Sequence, residues 1–175
     1  INYFSNDNRV DAENISLIGH SRGGGIAIIE ALENSKIKKL ITLASVDSLD
    51  RFPADEKLED WKKNGVYYNY NSRTKQQMPH DIQFLEDYLA NKERFSVEKA
   101  IQRFNGKLLI IHGLEDEAVH FSAAENLHSW AQNSQLLLTE KANHTFGVKE
   151  PWIDYKLPVI MNAVVKECRV FLNSD

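Results

Sequence analysis

The segment Gly19-His20-Ser21-Arg22-Gly23 stands between two apolar runs. Before it lies Asn14-Ile15-Ser16-Leu17-Ile18, which has the length of a short buried strand. After it Ile26, Ala27, Ile28, Ile29, Ala31 and Leu32 recur as in a mostly apolar helix. A chain that passes from strand to helix in so few residues turns sharply, and the residue at the corner takes a strained backbone. Side chains two before and two after that corner would crowd it, and both positions are Gly. The pattern therefore predicts Ser21 at a strand-to-helix corner. Its hydroxyl is exposed there, beside backbone N–H groups of the first helical turn that can hold a negative charge. Three consecutive glycines, Gly23 to Gly25, and the flanking elements make the pattern much more specific than a bare G-x-S-x-G.

The alternation of strand and helix continues along the chain. Strands are predicted over 15–19, 38–44, 107–112 and 134–139, and helices over 22–34, 121–132 and 155–172. This order predicts an α/β fold, a parallel sheet with helices on both faces. Residues 47–104 break the rhythm. They are charged and rich in rings, with Trp61, Tyr67, Tyr68, Tyr70, Phe84, Tyr88 and Phe95, and contain two expected helices, about 55–64 and 79–90. The segment reads as a helical cap inserted into a single domain covering 1–175.

In a parallel sheet, reactive side chains gather on loops after the carboxyl ends of strands. Ser21 follows the first strand. The third ends in His112-Gly113-Leu114-Glu115-Asp116-Glu117-Ala118-Val119, and the fourth is followed by Lys141-Ala142-Asn143-His144-Thr145-Phe146-Gly147. A serine nucleophile needs a base, and the base an orienting acid, and the order here is Ser, Asp, His. Asp116 has the acidic neighbours Glu115 and Glu117, and Asp47, after the second strand, is an alternative acid. Among the other histidines, His20 is expected to pack behind the sheet and His112 to make structural hydrogen bonds. His120 and His128 are expected at the surface and His80 in the cap. No set of His, Cys and Asp has zinc-like spacing at a strand end, so neither a metal nor a cofactor is expected.

With these three motifs the chain resembles the α/β-hydrolase superfamily, in its esterase, dienelactone-hydrolase and acyl-peptidase branch. The H-G-x-x-D-x-x-V pattern falls on His112, Gly113, Asp116 and Val119, and the histidine loop on Asn143, His144 and Phe146. The resemblance implies a catalytic Ser21, Asp116 and His144, with the Arg22 backbone N–H as an oxyanion donor, and hydrolysis of small carboxylic esters, neutral or modestly acidic. It leaves open an acyl-peptidase activity, and an interaction protein on a weakened hydrolase scaffold. The cap rings are read either as an apolar acyl pocket or as packing.

In that superfamily the corner serine comes later, after several strands, and a second oxyanion donor comes from an earlier loop. The chain is therefore expected to correspond to the C-terminal part of such an enzyme, without its N-terminal strands. The strand over 15–19 is then an open edge, and an open edge invites pairing. A homodimer, or contact with another chain at that edge, is expected.

Bulk properties bound the partners. A formal charge of −4 and no basic run leave no electrostatic footprint for nucleic acid. No stretch approaches the roughly 20 apolar residues of a bilayer span. The single cysteine, Cys168, forms no internal disulfide and reads as a small buried hydrophobe. The expected compartment is the cytoplasm.

Overall fold

The computed structural model describes residues 1–71 and 74–174. After a single turn of helix, α1 (Asn2–Ser5), the chain forms β1 (Ile15–His20), α2 (Arg22–Glu33) and β2 (Ile37–Leu43). There follow α3 (Asp55–Asn64), β3 (Val66–Asn71), β4 (Gln76–Asp81), α4 (Gln83–Ala90) and α5 (Val97–Arg103). The chain ends with β5 (Lys107–Gly113), α6 (Ser122–Trp130), β6 (Ser134–Thr139) and α7 (Val159–Asn173).

Strands β1, β2, β5 and β6 lie side by side in that order, all parallel. Alternate residues of the inner strands face opposite layers, as strand geometry requires. Leu40, Leu108 and Ile110 pack with Ile28, Ile101 and Leu127 of α2, α5 and α6. Ile41, Leu109 and Ile111 pack with Val164, Cys168 and Phe171 of α7. Helices thus cover both faces, and the carboxyl ends of the strands open on one edge of this sandwich. The fold is α/β, as the alternation of apolar runs predicts.

The segment between β2 and β5 differs in detail from its sequence reading. The helix expected over 79–90 starts only at Gln83, because Gln76–Asp81 pair antiparallel with Val66–Asn71. Val66-Tyr67-Tyr68-Asn69-Tyr70 is a strand by period: Tyr68 and Tyr70 face solvent while Tyr67 turns inward. Pro79 is tolerated because each strand of a two-stranded ribbon is an edge. The last helix of the segment, α5, buries Val97, Ala100 and Ile101 in the core shared with α2, so it packs as part of the body. The C-terminal helix begins at Val159 rather than near 155. Pro158 caps it, and a proline disfavours helical geometry in the residue before it. Among the described residues no helix is long and apolar enough to cross a membrane.

Candidate active site

One residue joins β1 to α2, and it is Ser21. Its backbone has φ 56 and ψ −126. That is a sparsely populated region, which costs on the order of 1–3 kcal/mol for a residue with a side chain. The surroundings fix it. The Ser21 N–H donates to the Leu43 carbonyl at 2.9 Å, and its own carbonyl accepts from Gly24 at 3.0 Å. Gly19 is required by close approach, since a Cβ there would lie 2.7 Å from the Gly24 Cα and closer still to the Gly23 carbonyl oxygen. Gly23 is different: a Cβ at that position would meet nothing within 4 Å.

The loop after β5 carries Asp116. Its carboxylate side chain is fully buried. Oδ1 accepts the backbone N–H groups of Ala118 and Val119, each at 2.9 Å. Oδ2 lies 2.8 Å from Nδ1 of His144 and 3.2 Å from Nε2 of His112. Burial is the largest single influence on this carboxyl and pushes its pKa up. Hydrogen bonds from the Val119 N–H, the His144 ring and the Ala118 N–H together outweigh burial and hold it below the ordinary value. Asp116 is thus an anion with most of its lone pairs committed.

The loop after β6 carries His144, anchored on both sides. Asn143 Oδ1 accepts from the backbone N–H of Thr145 at 3.2 Å and of Gly147 at 2.9 Å, and Phe146 is fully buried beneath the loop. The acid loop and this loop touch through backbone. Glu115 N–H donates to the Ala142 carbonyl at 3.0 Å, and a Cβ on Gly113 would come within 2.7 Å of that carbonyl's carbon. His144 Nε2 then lies 3.0 Å from Ser21 Oγ, so Ser21, His144 and Asp116 form one hydrogen-bonded chain. The imidazole side chain is 13% exposed, open enough for a ligand and closed enough to stiffen its hydrogen bonds.

Asp47, the alternative acid, accepts from Asn126 Nδ2 at 2.8 Å, and the carboxylate hydrogen-bonded to His144 is that of Asp116. Glu115 and Glu117 are exposed. His112 Nε2 donates to the Val119 carbonyl at 2.9 Å, as expected of a structural histidine. His120 and His128 are exposed, and His80 lies in the cap between Tyr67 and Phe84. The expectation for His20 fails: it is exposed, not packed behind the sheet. Its Nε2–H donates to the His144 backbone carbonyl at 2.8 Å, with the two rings 4.7 Å apart. This contact spans 124 residues and left no local signal. Arg22 is the first residue of α2, and a helix's first N–H groups have no acceptor inside the helix. Its backbone N–H therefore stands next to Ser21 without an intrahelical partner.

Residues 1–156 match the model of the prolyl oligopeptidase family, so the chain belongs to that family of α/β hydrolases. No curated protein matches the sequence. Among solved structures, Est1E from Butyrivibrio proteoclasticus is 20% identical with a TM-score of 0.65, the match covering 99% of this chain and 66% of that one. The monoacylglycerol lipase of Paleococcus ferrophilus is 15% identical with a TM-score of 0.66, over 91% of this chain and 68% of that one. Acetyl xylan esterase 1 from a Thermoanaerobacterium species is 15% identical with a TM-score of 0.55, over 99% of this chain and 50% of that one. At such identities the likeness is one of fold, and the chain spans about half to two thirds of the length of these structures.

Proposed function

We propose that the protein is a serine hydrolase that cleaves small carboxylic esters through an acyl-enzyme. The observation that carries this reading is the position of His144, with Nε2 at 3.0 Å from Ser21 Oγ and Nδ1 at 2.8 Å from a buried, ionised Asp116. An anion on the Nδ1 side keeps the proton on that nitrogen. Nε2 is then free to take the Ser21 proton as Oγ attacks the ester carbonyl. Asp116 stabilises the resulting imidazolium, and the Arg22 N–H donates to the developing oxyanion. The imidazolium returns its proton to the leaving alcohol. Water, activated by the same base, then releases the acid. The strained corner at Ser21 supports the assignment, because strain of this kind is kept where a side chain has to be presented.

Family membership supports a second reading, cleavage of an acylated peptide bond by the same three residues. The two readings differ in leaving group and not in the attacking machinery. The sheet order supports a further part of the proposal, contact with a second chain. Among the described residues β1 pairs with β2 alone, and Ile18 on β1 and Ile26 on α2 are 54% and 52% exposed.

The test is hydrolysis of p-nitrophenyl acetate and butyrate beside an acylated amino-acid p-nitroanilide. Turnover of the esters that disappears in Ser21→Ala is the expected result. Preference for the anilide would favour the peptidase reading, and ester turnover that survives Ser21→Ala would overturn both.

A further inference from the structure

One residue past Ser21 the chain lines a cavity of about 190 Å³. Five rings surround it, drawn from five successive parts of the segment between β2 and α5. Phe52 follows β2, Trp61 lies on α3, Tyr67 on β3, His80 on β4 and Phe84 on α4. They form a closed circuit. The centroid separations are 6.1 Å from Phe52 to Trp61, 5.8 Å to Tyr67, 6.1 Å to His80 and 6.4 Å to Phe84, with 5.9 Å back to Phe52. A cavity of about 150 Å³ with apolar walls is enough to hold benzene. This one has room for one ring and a short substituent.

Two guanidinium groups complete the lining. Arg22 lies 5.3 Å from the Phe84 ring centre and donates Nη2 to the Arg51 carbonyl at 3.3 Å. Arg51 donates Nη2 to the Ala118 carbonyl at 2.9 Å. Among the described residues neither has a carboxylate at ion-pair distance. Burial, and after it the like charge of Arg51, push the Arg22 guanidinium down from its ordinary pKa. Two cations without a carboxylate partner beside one ring-lined cavity point to an anion that the chain does not supply.

We propose that this cavity is the substrate-recognition subsite of the ester-cleaving centre, and that it selects an aromatic group bearing a carboxylate. The ring fills the circuit of side chains, and the carboxylate meets Arg22 and Arg51. The inference rests on the reading of Ser21 as the nucleophile. A cationic ligand, the usual guest of an aromatic cage, would be repelled by the two arginines. A plain alkyl chain would leave both guanidiniums without a counter-ion, and a bare inorganic anion would leave the rings unfilled.

Binding is measured by calorimetry on the Ser21→Ala protein, with 3-phenylpropionate, its neutral amide and inorganic phosphate as probes. The carboxylate should bind at least about tenfold more tightly than the amide, as a charge-assisted pairing requires. Arg51→Gln should erase that preference while leaving amide binding in place, and Arg51→Lys should restore part of it. Phe84→Leu, at a position 43% exposed, should weaken both organic probes. Equal binding of carboxylate and amide, a preference that survives Arg51→Gln, or phosphate binding as tightly as the carboxylate would overturn the proposal. Because Ser21→Ala needs no turnover, binding of the carboxylate in a protein without esterase activity would support the subsite and remove the ester reading alone.

Discussion

The two glycines of the G-x-S-x-G corner make unequal demands, and substituting each by alanine measures the difference. A Cβ on Gly19 would stand 2.7 Å from the Gly24 Cα and nearer still to the Gly23 carbonyl oxygen, both backbone atoms of the first turn of α2. Neither can rotate away, so α2 has to shift off β1 and carry the fixed corner with it. Overpacking of this kind costs about 1–3 kcal/mol, and contact with backbone rather than with flexible side chains puts Gly19→Ala near the upper end. For a chain of this size each kcal/mol moves the melting temperature by about 2–4 °C, so a fall of roughly 6–12 °C is expected. Gly23→Ala places its methyl in open space within a helix. It should gain up to about 1 kcal/mol from helix propensity, a rise of about 2–4 °C. Urea and thermal unfolding, followed by circular dichroism, read both variants, and an unchanged urea m-value shows that the same transition is compared. If Gly19→Ala melts with the wild type, or Gly23→Ala falls as far as Gly19→Ala, the packing argument is wrong.

Three other outcomes follow from the same geometry. Asp116→Asn keeps the shape of the acid but lets the wrong tautomer of His144 form, and should lower ester turnover by about 10⁴ without loss of fold. The Asp116 carboxyl is held below its ordinary value, so the stability it contributes is complete above the unfolded value, about 3.9, and drains away as pH falls through the lower folded value. Urea midpoints measured from neutral pH downward should therefore fall more steeply in acid for wild type than for Asp116→Asn, and parallel curves would contradict this. Light scattering over a wide concentration range should show association through the β1 edge, reduced by Ile18→Lys. A monomer at every concentration would remove that part of the proposal.

The positions of the three central side chains were legible because each lies just beyond the carboxyl end of its own strand. Parallel strands bring such ends together whatever their separation in sequence, so the 123 positions that separate Ser21 from His144 cost nothing in recognition. The sheet itself was legible because β1, β2, β5 and β6 are apolar runs bounded by polar turns. Less could be read where the contact alone makes the structure. His20 is one residue from Ser21, yet its place under the His144 carbonyl depends on the fold of a distant loop. The β3–β4 hairpin was hidden because its tyrosines serve two environments, with Tyr67 facing the cavity and Tyr68 and Tyr70 facing solvent. A count of rings cannot see that alternation. The ring circuit was out of reach for the same reason, since its five members come from five different parts of the chain. Gly23 shows the reverse, a motif residue whose expected crowding is absent from the structure around it.

The central claim is that Ser21 is an activated nucleophile. Its most direct test is labelling of the protein with a fluorophosphonate, the modified residue being located by peptide mass spectrometry. One adduct is expected, on Ser21, absent in Ser21→Ala and much slower in His144→Ala. A folded wild-type protein that takes no label, or takes it at another residue, would contradict the claim.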